Sequence, residues 1–117
     1  MTDNIINKPS KRSDEDFFVD VAEKIEKNFY VFKKHARQRL KDRNISDLEV
    51  LDILEGKIGR KRRRNKSKDK YEEGKQDWNY CVEGINLDGD KIRIIVSFEL
   101  APLPLSLHQS LDAIHHQ

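Results

Sequence analysis

An α+β fold, with two to three helices packed on a small, twisted antiparallel sheet of three to four strands, is what this 117-residue chain predicts. Three observations carry the prediction. Apolar residues recur at helical spacing in two segments that each begin with a capping box. The alternating residues Ile92, Ile94, Val96 and Phe98 read as a strand. Asp88-Gly89 just before them reads as the two-residue turn of a β-hairpin.

The elements follow in order. Residues 1–12 are polar and unpatterned, and are expected as a disordered tail. Ser13-Asp14-Glu15-Asp16 resembles a capping box, and Phe17, Val21 and Ile25 continue it as a helix over about 14–27. Phe29 to Phe32 reads as a short strand, and Lys34 to Arg43 as a polar helix. Ser46-Asp47-Leu48-Glu49 caps a third helix over about 47–55, and Gly56 stands where a C-cap belongs. The stretch from Lys57 is compatible with a strand at its start and becomes a charged, Gly-punctuated loop to about Gln76, and strands follow over about 77–87 and 90–99. A turn at 88–89 makes paired positions sum to 177, so Cys81 faces Val96 on the core side while Tyr80, Trp78 and Arg93 share the outer side. Pro102 and Pro104 break the pattern, and Leu107, Leu111 and Ile114 suggest a short terminal helix. One domain over 13–100 with a C-terminal extension over 101–117 is the expected organisation.

Composition narrows the function. Charged residues make up 38% and hydrophobic residues 36%, so the core is lean. A single cysteine, Cys81, excludes an internal disulfide and a cysteine-based zinc site. No metal-ligand spacing and no Gly-rich phosphate loop is visible, so no metal and no small-molecule cofactor is expected. No apolar run approaches the roughly 20 residues of a membrane span, and no secretory h-region opens the chain, which makes a cytoplasmic location the expectation. Lys57 to Lys70 holds nine Lys/Arg and one acid, a local +8 in a chain of formal charge +2, so the remainder carries −6.

Three constellations carry possible chemistry. His35, Arg39 and Arg43 lie four apart on one side of a helix, with Arg37 beside them. A neutral imidazole there can take a proton, and the guanidiniums can hold phosphate. Arg60, Lys61, Arg62, Arg63 and Arg64 suit an exposed loop that follows a phosphate backbone. Trp78 and Tyr80 beside Arg93 suit base stacking or proton transfer. Each also has a plain structural reading: a solvated helix face, an inert charged loop, and rings that cover the sheet.

His35-Ala36-Arg37-Gln38-Arg39-Leu40, Arg43-Asn44-Ile45-Ser46 and the closing Lys91-Ile92-Arg93-Ile94-Ile95-Val96 together resemble a widespread bacterial domain-of-unknown-function family. Members open with His-Ala…Arg…Arg-Gly-Ile-Ser, and Asn44 stands in the glycine's place. Tyr80 and Ile94-Ile95-Val96-Ser97-Phe98 are similar to the end of MqsR-type toxins, and both groups are similar to RelE/ParE-like toxins. The resemblance implies a toxin-type endoribonuclease (an mRNA interferase-like hydrolase of a toxin–antitoxin system) that is metal-independent, acts on RNA and is held by an antitoxin protein. His35 as base or acid, Arg39 as phosphate clamp and Tyr80 as second proton-transfer group would be its catalytic set. The alternative is a non-catalytic module that binds nucleic acid or protein through the same basic surface.

Overall fold

Three helices form for local reasons, and all end in the same way. A computed structural model describes residues 8–57, 61–86, 88–98 and 102–108. Helix α1 (Asp14–Glu26) begins where the Ser13 hydroxyl accepts the Asp16 N–H, and it buries Phe17, Val21 and Ile25. Helix α2 (Lys34–Asp42) buries only Ala36 and Leu40. Helix α3 (Asp47–Glu55) opens with a full capping box between Ser46 and Glu49. Asn28, Asn44 and Gly56 follow the helices in left-handed backbone, with φ of 58°, 56° and 68°. The next N–H then returns five residues, Phe29 to Lys24 at 2.7 Å, Ile45 to Leu40 at 2.8 Å and Lys57 to Asp52 at 3.0 Å. These are Schellman caps, in which asparagine is the usual substitute for glycine. Asn44 therefore does the work that glycine does in such a cap.

Among the described residues five strands, rather than three or four, build the sheet. They are β1 (Tyr30–Phe32), β2 (Arg62–Arg64), β3 (Asn79–Ile85), β4 (Lys91–Ser97) and β5 (Leu103–His108), in the spatial order β1-β5-β4-β3-β2. The sheet is mixed, because β1 pairs parallel to β5 while the other pairs are antiparallel. The fold class is α+β, as expected, with all three helices on one face.

β5 corrects the expectation of a helix near Leu107. Leu103, Leu105 and Leu107 are buried at strand spacing, not helical spacing. Pro104 is tolerated because β1 bonds its neighbours: Leu103 N–H reaches the Phe29 carbonyl, and the Leu105 carbonyl accepts Lys33 N–H. The β4 ladder begins one residue later, at Leu105. Leu111 and Ile114 lie outside the described residues.

The hairpin register differs by one residue. Tyr80 pairs with Val96 and Glu83 with Arg93, so paired positions sum to 176. A five-residue loop from Asn86 to Asp90 replaces the two-residue turn. Asn86 Oδ1 accepts the N–H groups of Asp88 at 3.0 Å and Asp90 at 2.8 Å. Asn86 N–H in turn donates to the Asp90 carbonyl at 3.0 Å. The side chain of Asn86 thus organises the turn that Asp88-Gly89 was expected to make alone. One residue of slip exchanges the faces of β3. Tyr80 and Val82 point to the helices, and Cys81 and Glu83 point away. Ile92, Ile94 and Val96 are buried under the helices as expected, and Phe98 packs partly buried against the same core.

Residues 8–12, assigned to the tail from sequence, dock on the domain. Trp78 Nε1 donates to the Pro9 carbonyl at 2.7 Å, and Arg12 Nε donates to Asp77 at 2.9 Å. Among the described residues no helix is long and apolar enough to cross a membrane.

Candidate nucleic-acid interface

Strand alternation decides where the basic run points. Arg62 and Arg64 turn toward the helices, and Arg63 turns to the opposite face. The Arg62 guanidinium lies 3.8 Å from the Phe18 ring centroid and donates to the Leu54 carbonyl. Arg64 is 7% exposed, sits 4.9 Å from the Phe17 ring and 4.8 Å from the Tyr80 ring, and pairs with Asp14 and Asp69. The run is an edge strand, not the expected mobile loop, and two of its arginines are internal struts. Arg60 lies outside the described residues.

The proposed catalytic trio does not assemble. Tyr80 is fully buried against Phe17 of α1, with ring centroids 5.2 Å apart. Its hydroxyl donates to Asp77 at 2.6 Å and accepts the Arg12 N–H at 3.0 Å. Burial, and then the hydrogen bond to Asp77, push the phenol up to about 12. A phenol so placed neither reaches a substrate nor gives up its proton near neutrality. His35 is exposed at the start of α2, and Arg39 and Arg43 follow half-buried on the same row. Their side chains make no hydrogen bond or ion pair among the described residues. Helix α2 packs on β5, whereas Tyr80 lies on β3 beneath α1, with β4 between them. Arg37 comes within 3.9 Å of Asp47 on the solvent side. Trp78 is half-buried, with Lys11 4.5 Å above its ring. It therefore offers no open stacking platform.

The face of the sheet turned away from the helices holds a different cluster. Register places Arg63, Glu83, Arg93 and His108 in one row across β2, β3, β4 and β5. Glu83 Oε1 accepts from Arg63 at 2.8 Å, and Oε2 accepts from Arg93 at 2.7 Å and Asn65 at 2.9 Å. Burial alone would raise this carboxyl, but the hydrogen bonds from Asn65 and Arg93 and the charge of Arg63 hold it below the usual range. Arg93 is 15% exposed at its side chain and Arg63 65%. Beside them a pocket of about 150 Å³ is lined by Lys61, Arg63, Glu83, Ile85 and Lys91 among others. At the other end of the face, a groove of about 160 Å³ runs between Lys33, Glu72 and Lys75 and the strand residues Asn79, Ser97 and Ser106.

Glu83, Asn65 and Lys91 were not singled out from sequence as site residues. The signal was present: the expected register set Glu83 opposite Ile94 on the core side. Shifting by one pairs it with Arg93 and removes a buried, unpaired acid. Cys81, next to Glu83, is 1% exposed, and burial and then the Glu83 charge push its thiol up to about 11. It is buried, but on the face turned away from the helices and not on the core side where the expected register set it.

A protein-family model described as "Domain of unknown function (DUF4258)" matches residues 32–103. No curated protein and no solved structure matches the chain.

Proposed function

We propose that this chain, which belongs to the DUF4258 family, is an RNA-binding domain whose contact surface is the helix-free face of its sheet. One observation carries the reading. That face gathers Lys33, Lys61, Arg63, Lys70, Lys75, Lys91 and Arg93 against the carboxylates Glu72 and Glu83. Such an excess of cations neutralises phosphates and releases counterions. Flexible single-stranded RNA fits a broad sheet face better than a duplex, because its backbone can follow the cations across strands. Cleavage by His35, Arg39 and Tyr80 has less support, since it needs three groups in one cleft and Tyr80 is sealed in the core. An antitoxin-type partner, implied by the toxin resemblance, would compete with RNA for the same basic face.

Fluorescence anisotropy with an unstructured RNA oligonucleotide tests this. Lys61→Gln, Arg63→Gln and Lys91→Gln combined should weaken binding and lower the slope of log affinity against log salt by about 2, at roughly 0.7 per lost phosphate contact on a single strand. Lys24→Gln, Lys34→Gln and Lys41→Gln combined, on the helix side, should leave the slope unchanged. Equal slopes in both sets would move the contact surface elsewhere.

A further inference from the structure

We propose that the groove between Lys33 and the loop leading into β3 reads a guanine base. The inference rests on the RNA-binding reading above: the base belongs to the single strand that lies across the sheet, and the groove supplies the selectivity that cations alone lack.

Reading a base needs polar groups in a fixed order beside a surface on which a planar ring can lie. The groove has a volume of about 160 Å³ and crosses β4 and β5. Pockets that enclose drug-sized ligands begin at roughly 300 Å³, so this one suits a single fused ring. Ile95 of β4 and Pro104 of β5 give it an apolar floor, the proline buried and the isoleucine half-buried. Lys33, directly after β1, lines one end, and Glu72 and Lys75, in the loop before β3, line the other. Asn79 opens β3 at the foot of that loop, which a backbone bridge from Lys70 ties down.

The order of the polar atoms selects the base. Asn79 Nδ2 donates to Glu72 Oε1 at 3.3 Å. Amide and carboxylate thus lie side by side and present one donor followed by two acceptors. Guanine has the complementary edge: the O6 acceptor, then the N1–H and N2–H donors. The second amide proton of Asn79 meets O6, and the two carboxylate oxygens take the two donors as a bidentate pair. Adenine sets a donor beside an acceptor, cytosine a donor beside two acceptors, and uracil one donor between two acceptors. Each of those turns a lone pair toward the carboxylate.

Glu72 and Glu83 are the two acids already placed on this face, and they differ in availability. Glu83 accepts from Arg63, Arg93 and Asn65 across both oxygens. Glu72 is exposed, and among the described residues its carboxylate takes only the long bond from Asn79. A solvated surface acid would also be exposed. Its place between two lysines is what points further. A groove for phosphate alone is made worse by a carboxylate, because like charges repel. A groove that takes a base with its phosphates on either side uses all three groups: Lys33 and Lys75 hold the flanking phosphates, and Glu72 reads the ring between them.

Anisotropy compares a short uridine oligonucleotide carrying one central guanine with the same strand carrying adenine or inosine there. Inosine keeps O6 and N1–H and lacks the 2-amino group, so it removes one arm of the bidentate pair alone. The guanine strand should bind about 10-fold tighter than either. Its salt slope should be the same as theirs, since no phosphate contact changes. Glu72→Gln, a substitution at an exposed side chain, should abolish the preference and leave the all-uridine strand bound at least as tightly as before. Guanosine 5′-monophosphate titrated into the protein tests whether the base is read outside RNA. Equal affinity for the three strands overturns this inference and leaves the binding reading standing. So does a guanine preference that survives Glu72→Gln. Glu72-dependent binding of guanosine monophosphate, by protein that binds none of the strands, upholds the guanine site and removes the RNA reading. Protein that binds neither strand nor nucleotide removes both.

Discussion

Arg62, Arg63 and Arg64 are chemically identical and do three different things. Arg62 stacks on Phe18 beside the end of α3, Arg64 is walled in by two rings and two carboxylates, and Arg63 meets Glu83 on the opposite face. Their substitutions should separate cleanly in urea denaturation. Arg64→Ala leaves Asp69, whose side chain is 0% exposed, without its guanidinium, and breaking a buried pair in this way costs about 3 kcal/mol or more. Arg63→Ala changes stability by no more than about 0.5 kcal/mol, since Arg93 and Asn65 still hold Glu83. Equal losses at the two positions would contradict the inward and outward assignment. Tyr80 gives a pH test at the same scale. Its folded-state value, about 12, lies above the ordinary 10.0, so the folded state retains the phenolic proton longer than the unfolded chain. The resulting stability is complete below pH 10 and lost as pH rises toward about 12. Tyr80→Phe should abolish that alkaline decline in a series of thermal melts. A decline that persists in Tyr80→Phe belongs to another group.

Helices were largely legible because their signals are local: the caps at Ser13, Ser46 and Gly56 lie within a turn of what they cap. Strand pairing was not, because it is fixed at a distance. A two-residue and a five-residue loop both contain Asp88-Gly89, and only Asn86 closing back on Asp88 and Asp90 decides between them. The error passed to every residue of β3 and moved Tyr80 from the expected site to the core. Arg63 and Arg93, by contrast, reached the outer face. Gly84 shows how closely the correct register is enforced. It faces α3, and a Cβ built there overlaps Ile53 Cγ2. Gly84→Ala should cost about 1–3 kcal/mol through this overlap, and Ile53→Ala in the same chain should recover part of the loss. A strictly additive double variant, read from denaturation midpoints, would show that the contact is not the cause.

Across the whole molecule, the charge excess read from sequence is divided by the sheet. Of the cations between Lys57 and Lys70, Arg62 and Arg64 are used internally, while Lys61, Arg63 and Lys70 face outward. The outer field is completed by Lys33, Lys75, Lys91 and Arg93, which lie apart in sequence. No linear run announces such a surface, since it exists only once β3, β4 and β5 are in register. The sequence therefore shows the excess of charge between Lys57 and Lys70 but not how the strands divide it.

The order in which the chain leaves the ribosome differs from the order in which the sheet is laid down. β5 is the last strand in sequence order among the described residues, yet it lies between β1 and β4. Until residues 103–108 emerge, β1 and its helix have no sheet to join, and β4 presents a bare hydrogen-bonding edge. The nascent polypeptide must therefore hold two incomplete halves apart until residues 103–108 insert between them. Such a topology folds by long-range closure, which is slow and all-or-none. A product cut short before that stretch would be left unfinished and adhesive, a natural substrate for quality-control proteases.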